Sequence, residues 1–224
     1  MNPRTNALRE LNARIMRIEG RGRLAESFTR IQSAVESLAN LHDVKDSTIT
    51  HDAHVLKVGK AAQALQNKLG AMKDQALSTY TTESGRLAGQ AVDRLNLKES
   101  KYGEELRRMV VSMPISERIQ YVTDLAKDPE AGPMLASLTA APSLLHGVPR
   151  EVLQAAEKQF VATHAPDLTA LQEDLDAALD LVSAAHRTAA SMASEYQDAR
   201  ELERIDTASK AAAEAQQRMN EVLA

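Results

Sequence analysis

Apolar residues recur along this chain at steps of three and four, the spacing that lines one face of an α-helix. Leu8, Leu11, Ile15 and Ile18 form such a face before Gly20 and Gly22 interrupt it. Leu24, Phe28, Ile31, Val35 and Leu38 form a second, whose end blurs at Leu41-His42-Asp43, so residues 1–45 read as a pair of helices. A third helix begins near Asp52. Thr50 is placed to cap it, and Asp52 puts negative charge in the first turn, where the helix dipole favours it. Its face runs Val55, Val58, Ala62, Leu65, Leu69, Met72, Ala76 without a slip. It continues more weakly through Leu87, Val92 and Leu95, giving a long helix over 52–97. Thr79-Tyr80-Thr81-Thr82 is a poor helix-forming stretch and is expected to loosen it midway.

Residues 101–164 change character. Pro114, Pro129, Pro133, Pro142 and Pro149 punctuate this stretch, and proline is accepted in a first helical turn but breaks interiors. The expected elements are short helices over Tyr102–Ser112, Ser116–Lys127, Pro133–Leu138 and Pro149–Thr163, with Ser116 and Asp128 as caps and Gly147 as a stop. Ile119, Val122 and Leu125 give one of them an apolar face, and a compact helical cap fits the stretch.

From Asp167 to Ala224 there is neither Gly nor Pro. The seam reads Leu168, Leu171, Leu175, Ala178, Val182, Ala185, Ala189, Met192, Tyr196, Ala199. Leu202 and Ile205 then come at two steps of three, a stammer, before Ala208, Ala212, Ala215, Met219 and Val222 restore the pattern. One C-terminal helix over 167–224 would be about 85 Å long at 1.5 Å per residue. A globule of this chain length has a diameter of about 45 Å. Such a rod needs a neighbour, and the 52–97 helix, folded antiparallel with 101–164 as the cap between them, is the internal candidate. The fold class is therefore all-α: an extended helical bundle with long coiled-coil-like helices and a compact short-helix cap. No β-type alternation of useful length occurs.

Composition sharpens this picture. Aromatic residues are 3% and Trp is absent, so a thick core with a deep pocket is hard to build, while Ala and Leu suffice for thin helical seams. Alanine buries little area, so such seams suit packing along a partner chain, and self-association or docking on a larger assembly is expected. The contact seam would comprise Val55, Ala62, Leu65, Leu69 and Met72 with Leu168, Leu171, Leu175, Val182, Met192 and Tyr196. Cysteine is absent, which removes disulfides, thiolate nucleophiles and Cys-held zinc. The opening Met1-Asn2-Pro3-Arg4-Thr5-Asn6 has no secretory apolar stretch and no run is long enough for a membrane helix, which predicts a cytoplasmic chain.

The net charge of -4 is uneven. Residues 1–23 hold six Arg against two Glu, a local +4, and Arg9, Arg14, Arg17, Arg21 and Arg23 form a candidate basic contact patch. It offers nucleic acid as a partner, but no aromatic residue is there to stack on bases, and solvated helix faces explain the charge better. Residues 167–180 carry Asp167, Glu173, Asp174, Asp176 and Asp180 with no base. Leu171, Leu175 and Val182 mark the buried stripe, so these acids read as the solvent face and not as catalytic carboxylates in a cleft. His51 and His54 share a helix face beside Asp52, yet no third ligand converges on them, and a helix terminus is the plainer reading. Gly20-Arg21-Gly22 lacks the context of a phosphate loop. No cofactor, metal or catalytic residue is expected.

One segment is familiar. Asp128-Pro129-Glu130, then Leu135 through Glu151 with Ala141-Pro142-Ser143-Leu144-Leu145-His146-Gly147 at its heart, then His164-Ala165-Pro166, resembles a segment of small helical proteins encoded among tailed-bacteriophage structural genes. The resemblance covers about 40 of 224 residues. It implies a non-enzymatic virion or assembly component (scaffolding, ejection or connector-associated), present in multiple copies, partnered by itself or other virion proteins, and placed in the virion after assembly in host cytoplasm. The competing class is a cytosolic or secretion-associated helical adaptor that binds one partner protein.

Overall fold

The computed structural model describes residues 3–44, 48–197 and 199–223. Among them are nine α-helices and two 3-10 turns, and no strand. The chain is all-α, with long helices in keeping with a bundle. It divides into two compact units, Met1–Tyr80 with Ala177–Ala224 and Thr81–Asp176.

In the first unit, α1 (Pro3–Ile15) packs on α2 (Leu24–Asp43). Leu8 and Ile15 on one helix and Leu24, Phe28, Ile31 and Val35 on the other are fully buried. The turn between them passes through Gly22 at φ 51, a left-handed conformation that a side chain would strain. The helix α3 (His51–Arg94) starts where the sequence places it, with the Thr50 hydroxyl accepting the Ala53 N–H at 3.2 Å. Its residues 51–80 belong to this unit and face α8 (Pro166–Glu195) in antiparallel sense, the His186 ring N–H donating to the Leu69 carbonyl at 3.2 Å. Val58, Ala62, Leu65, Leu69 and Ala76 are buried along that line, as are Ala178, Val182, Ala185, Ala189 and Met192. The Thr79–Thr82 stretch does not loosen α3, which stays helical throughout. Thr79 returns its hydroxyl to the Gln75 carbonyl at 2.9 Å, so the helix absorbs its β-branched residues.

The expected single C-terminal helix is not formed. It ends at Glu195, and α9 (Ala199–Leu223) starts afresh. The break falls at Tyr196-Gln197, ahead of the Leu202–Ile205 stammer, and the last bond tightens to Gln197 N–H on the Ser194 carbonyl at 3.2 Å. A tertiary contact anchors the corner: the Tyr196 ring stacks on His42 with centroids 4.5 Å apart.

In the second unit the short helices are α4 (Gly103–Ser112), α5 (Ile115–Leu125), α6 (Gly132–Thr139) and α7 (Arg150–His164), with 3-10 turns at Glu19–Arg21 in the first unit and Ser143–Leu145 here. They enclose a core of Val110, Val122, Leu125, Leu135, Leu138 and Phe160. Ser116 is not a cap: α5 opens one residue earlier, after Pro114, whose fixed φ suits a helix entry. Asp128 does organise its turn, accepting the Glu130 N–H at 2.9 Å, and Gly147 turns the chain at φ 66. Ile119, expected on the buried face, is exposed.

The unit includes residues 81–94 of α3 and 166–176 of α8, so it extends beyond the expected 101–164 cap. There α3 and α8 are again antiparallel: Ser84 reaches Gln172 at 3.1 Å, and Arg94 holds both Asp167 oxygens at 2.8 and 2.6 Å. The end of α3 is a Schellman-type turn, with Asn96 left-handed at φ 50 and the Leu97 N–H on the Val92 carbonyl at 2.9 Å.

Candidate functional site

The expected contact seam is largely spent inside the chain's own fold. Ala62, Leu65, Leu69, Leu168, Leu175, Val182 and Met192 are buried, while Val55, Met72 and Tyr196 are half-buried. Only Leu171 is exposed, at 37%. The buried members of this set are spent between α3 and α8 within the chain, while Tyr196 lies past the end of α8 and stacks on His42.

The basic patch is partly committed as well. Arg9 pairs with Glu36 at 3.4 Å, and Arg21 donates to the Ile18 carbonyl at 2.6 Å. Arg14, Arg17 and Arg23 are exposed, and Arg23 lines a polar hollow beside Glu26 and Arg30. The histidine pair is split in role: His51 is exposed, and His54 donates its Nε2–H to the His42 carbonyl at 3.2 Å. Among the described residues no three His, Asp or Glu side chains gather as metal ligands would. Nor is any described helix long and apolar enough to cross a membrane.

The acids do not converge either. Glu173 and Asp176 are exposed on α8, Asp180 falls in the other unit, and Asp167 is taken by Arg94. That guanidinium holds the Asp167 carboxyl below the usual carboxylate range, with smaller help from backbone N–H groups at the start of α8. The folded value is depressed, so the pair stabilises above the unfolded pKa and the contribution fades as pH falls through the folded one. Asp167→Asn should therefore remove part of the acid dependence of thermal stability below about pH 4. Thermal melts across that range check this, and identical slopes in both proteins would refute it.

Free surface with the composition of a contact is found elsewhere. The helix α9 meets α3 only through its first two turns: Leu202 packs against Gly59, Ile205 is buried, and Arg204 comes 3.7 Å from Asp52. Past Ile205, every residue from Asp206 to Val222 is exposed. Ala-rich composition and Asp206–Lys210, at 2.7 Å, let this stretch stay helical without neighbours. Its Ala208, Ala212, Ala215, Met219 and Val222 stripe, at steps of four and three, lies bare, with Met219 50% and Val222 85% exposed.

The second unit carries a smaller bare patch. Arg118 gathers the Val111, Met113 and Gly147 carbonyls at 2.6, 2.7 and 3.4 Å, tying the α4–α5 turn to the Ser143–Leu145 turn. Val111, Ile115, Leu144 and Leu145 stand exposed around it, Leu144 at 89%.

No protein family, curated protein or solved structure matches this chain. The exposed α9 stripe was in the sequence pattern, but the pattern did not separate it from the buried α8 seam. The Leu144-Leu145 patch lies in the familiar segment, where the apolar pair at a turn was the available signal.

Proposed function

We propose that the protein is a non-enzymatic structural or assembly component that acts in multiple copies and makes its contacts through α9. The single observation behind this reading is the bare apolar stripe over Ala208–Val222 on a helix that has left the bundle. Burying Val222 on a partner is favourable by about 1.5–3 kcal/mol and the half-exposed Met219 by roughly half of that, and the alanines let two helix backbones approach closely. The described groups with displaced pKa values are surface ion pairs, such as Asp124 with Lys127 and Asp206 with Lys210, apart from Tyr121, which burial raises. That pattern supports a structural role over a chemical one. In this reading the setting is a tailed-phage virion, with the protein a scaffolding, ejection or connector-associated component, and the support for that setting is the resemblance carried by the segment from Asp128 to Pro166. The bare patch around Arg118 favours a second reading, a helical adaptor for one partner protein.

Sedimentation velocity over a micromolar concentration series tests the first reading. Wild-type protein should form species larger than a monomer, and Met219→Glu with Val222→Glu should abolish them at unchanged helix content. A compact monomer at every concentration, or the same distribution in the variant, would refute self-contact through α9. Co-sedimentation with assembled particles separates a virion protein from an adaptor, which instead captures one partner in fixed ratio.

A further inference from the structure

The second unit contains a concave surface that the α9 reading does not use. It is a groove of about 430 Å³ between the end of α3, α7 and the start of α8. Its floor is apolar: Leu87, Ala91 and Leu168 are buried, and Val92, Leu97 and Val161 are half-buried. The concavity has a sequence cause, since Ala88 and Ala91 on α3 stand where larger side chains would fill the space. Its rim is polar and predominantly acidic, with Glu157 on α7 and Glu173 and Asp176 on α8 against the single Lys158.

We propose that this groove docks a cationic amphipathic helix from another protein. The acidic rim selects the sign of the partner, since a basic residue lying over Glu157 and Glu173 is attracted and an acidic one repelled. The walls select its form. All three are helices whose backbone groups are bonded within themselves, so an extended peptide finds no strand edge to pair with, whereas apolar knobs at i, i+3 or i+4 fit an apolar floor. From Leu168 to Asp176 the groove runs roughly 12 Å along α8, about two turns of an incoming helix.

The occupant is not a segment of a second copy. The basic α1 spends its apolar face on α2, with Leu8 and Ile15 fully buried. The bare α9 carries no positive excess: Glu201, Glu203, Asp206, Glu214 and Glu221 stand against Arg200, Arg204, Lys210 and Arg218, or five minus four. An acidic rim therefore has no net attraction for it. The partner is thus a protein other than this chain, and the groove and α9 serve different contacts.

Fluorescence anisotropy on the full chain provides the test, with a labelled 18-residue Leu/Lys amphipathic helix as probe and a Leu/Glu helix of the same pattern as counter-probe. The Leu/Lys helix should bind, weaken with salt, and lose about tenfold in affinity, 1.4 kcal/mol, in each of two variants. Ala88→Phe fills the groove from an exposed position, and Glu157→Lys with Glu173→Lys inverts the rim. The Leu/Glu helix should not bind. Equal binding of both probes, binding unchanged in both variants, or no binding of the Leu/Lys helix would each overturn the proposal. Self-association through α9 is measured separately, so losing one reading leaves the other standing.

Discussion

Gly132→Ala should destabilise the second unit by about 3 kcal/mol, because the new methyl has nowhere to go. A Cβ built at Gly132 would lie 2.1 Å from the Leu95 carbonyl oxygen and 3.3 Å from that of Asn96. Both obstacles are backbone, so no rotamer change relieves them. They are also fixed backbone, since Leu95 and Asn96 belong to the Schellman-type turn that ends α3. Either that turn opens or α6 moves, and α6 carries Leu135 and Leu138, both fully buried. Gly85→Ala is the control: nothing lies within 4 Å of its Cβ, and replacing glycine in an exposed helix interior should stabilise by about 0.5–1 kcal/mol. Urea denaturation of the two variants should give midpoint shifts of opposite sign. A Gly132→Ala protein as stable as wild type would mean that the close approach of α6 to α3 is not native.

Which parts of this architecture the sequence could reveal follows from which residues carry unambiguous physics. Proline locks its own φ and disfavours the α region for its predecessor, so Pro114, Pro133 and Pro149 marked helix starts to within a residue or two, at Ile115, Gly132 and Arg150. Thr50 likewise announced α3, because a hydroxyl before an apolar run has one obvious use. Alanine carries no such information. Its small methyl is equally at home buried, as at Ala185 and Ala189, or bare, as at Ala208 and Ala212, so steps of three and four ran on through the Tyr196-Gln197 break as if nothing had happened. A signal was present there. Asp198 stands three residues before Glu201, the spacing of a helix-opening capping box, although Asp198 itself lies outside the described residues. The other contacts were beyond a one-dimensional reading: Arg118 holding three carbonyls from two turns, and Gly132 lying against the end of α3, both depend on segments brought together only by folding.

That ambiguity of alanine also changes what substitution in the seam should do. If α3 and α8 met only between molecules, a charge in the seam would cost assembly and spare the fold. Leu69 is 2% exposed, on the α3 face toward α8, with its own carbonyl bonded to His186. Leu69→Asp should therefore unfold the first unit. Removing the leucine alone costs about 2–5 kcal/mol, and an unpaired carboxylate in its place adds a desolvation penalty or forces the group to take up a proton. Against a typical total of about 5–15 kcal/mol, little folded protein should remain. Leu69→Ala, without the charge, should stay folded with a lower urea midpoint. The readout is amide hydrogen exchange over residues 60–76 and 180–193, which Leu69→Asp should bring close to unprotected rates. A Leu69→Asp chain that kept full protection there and merely changed its oligomer size would return the seam to the role of an intermolecular contact. The α9 substitutions are the mirror case, since Met219 and Val222 face solvent: they should leave exchange in the bundle untouched and alter only the mass in solution.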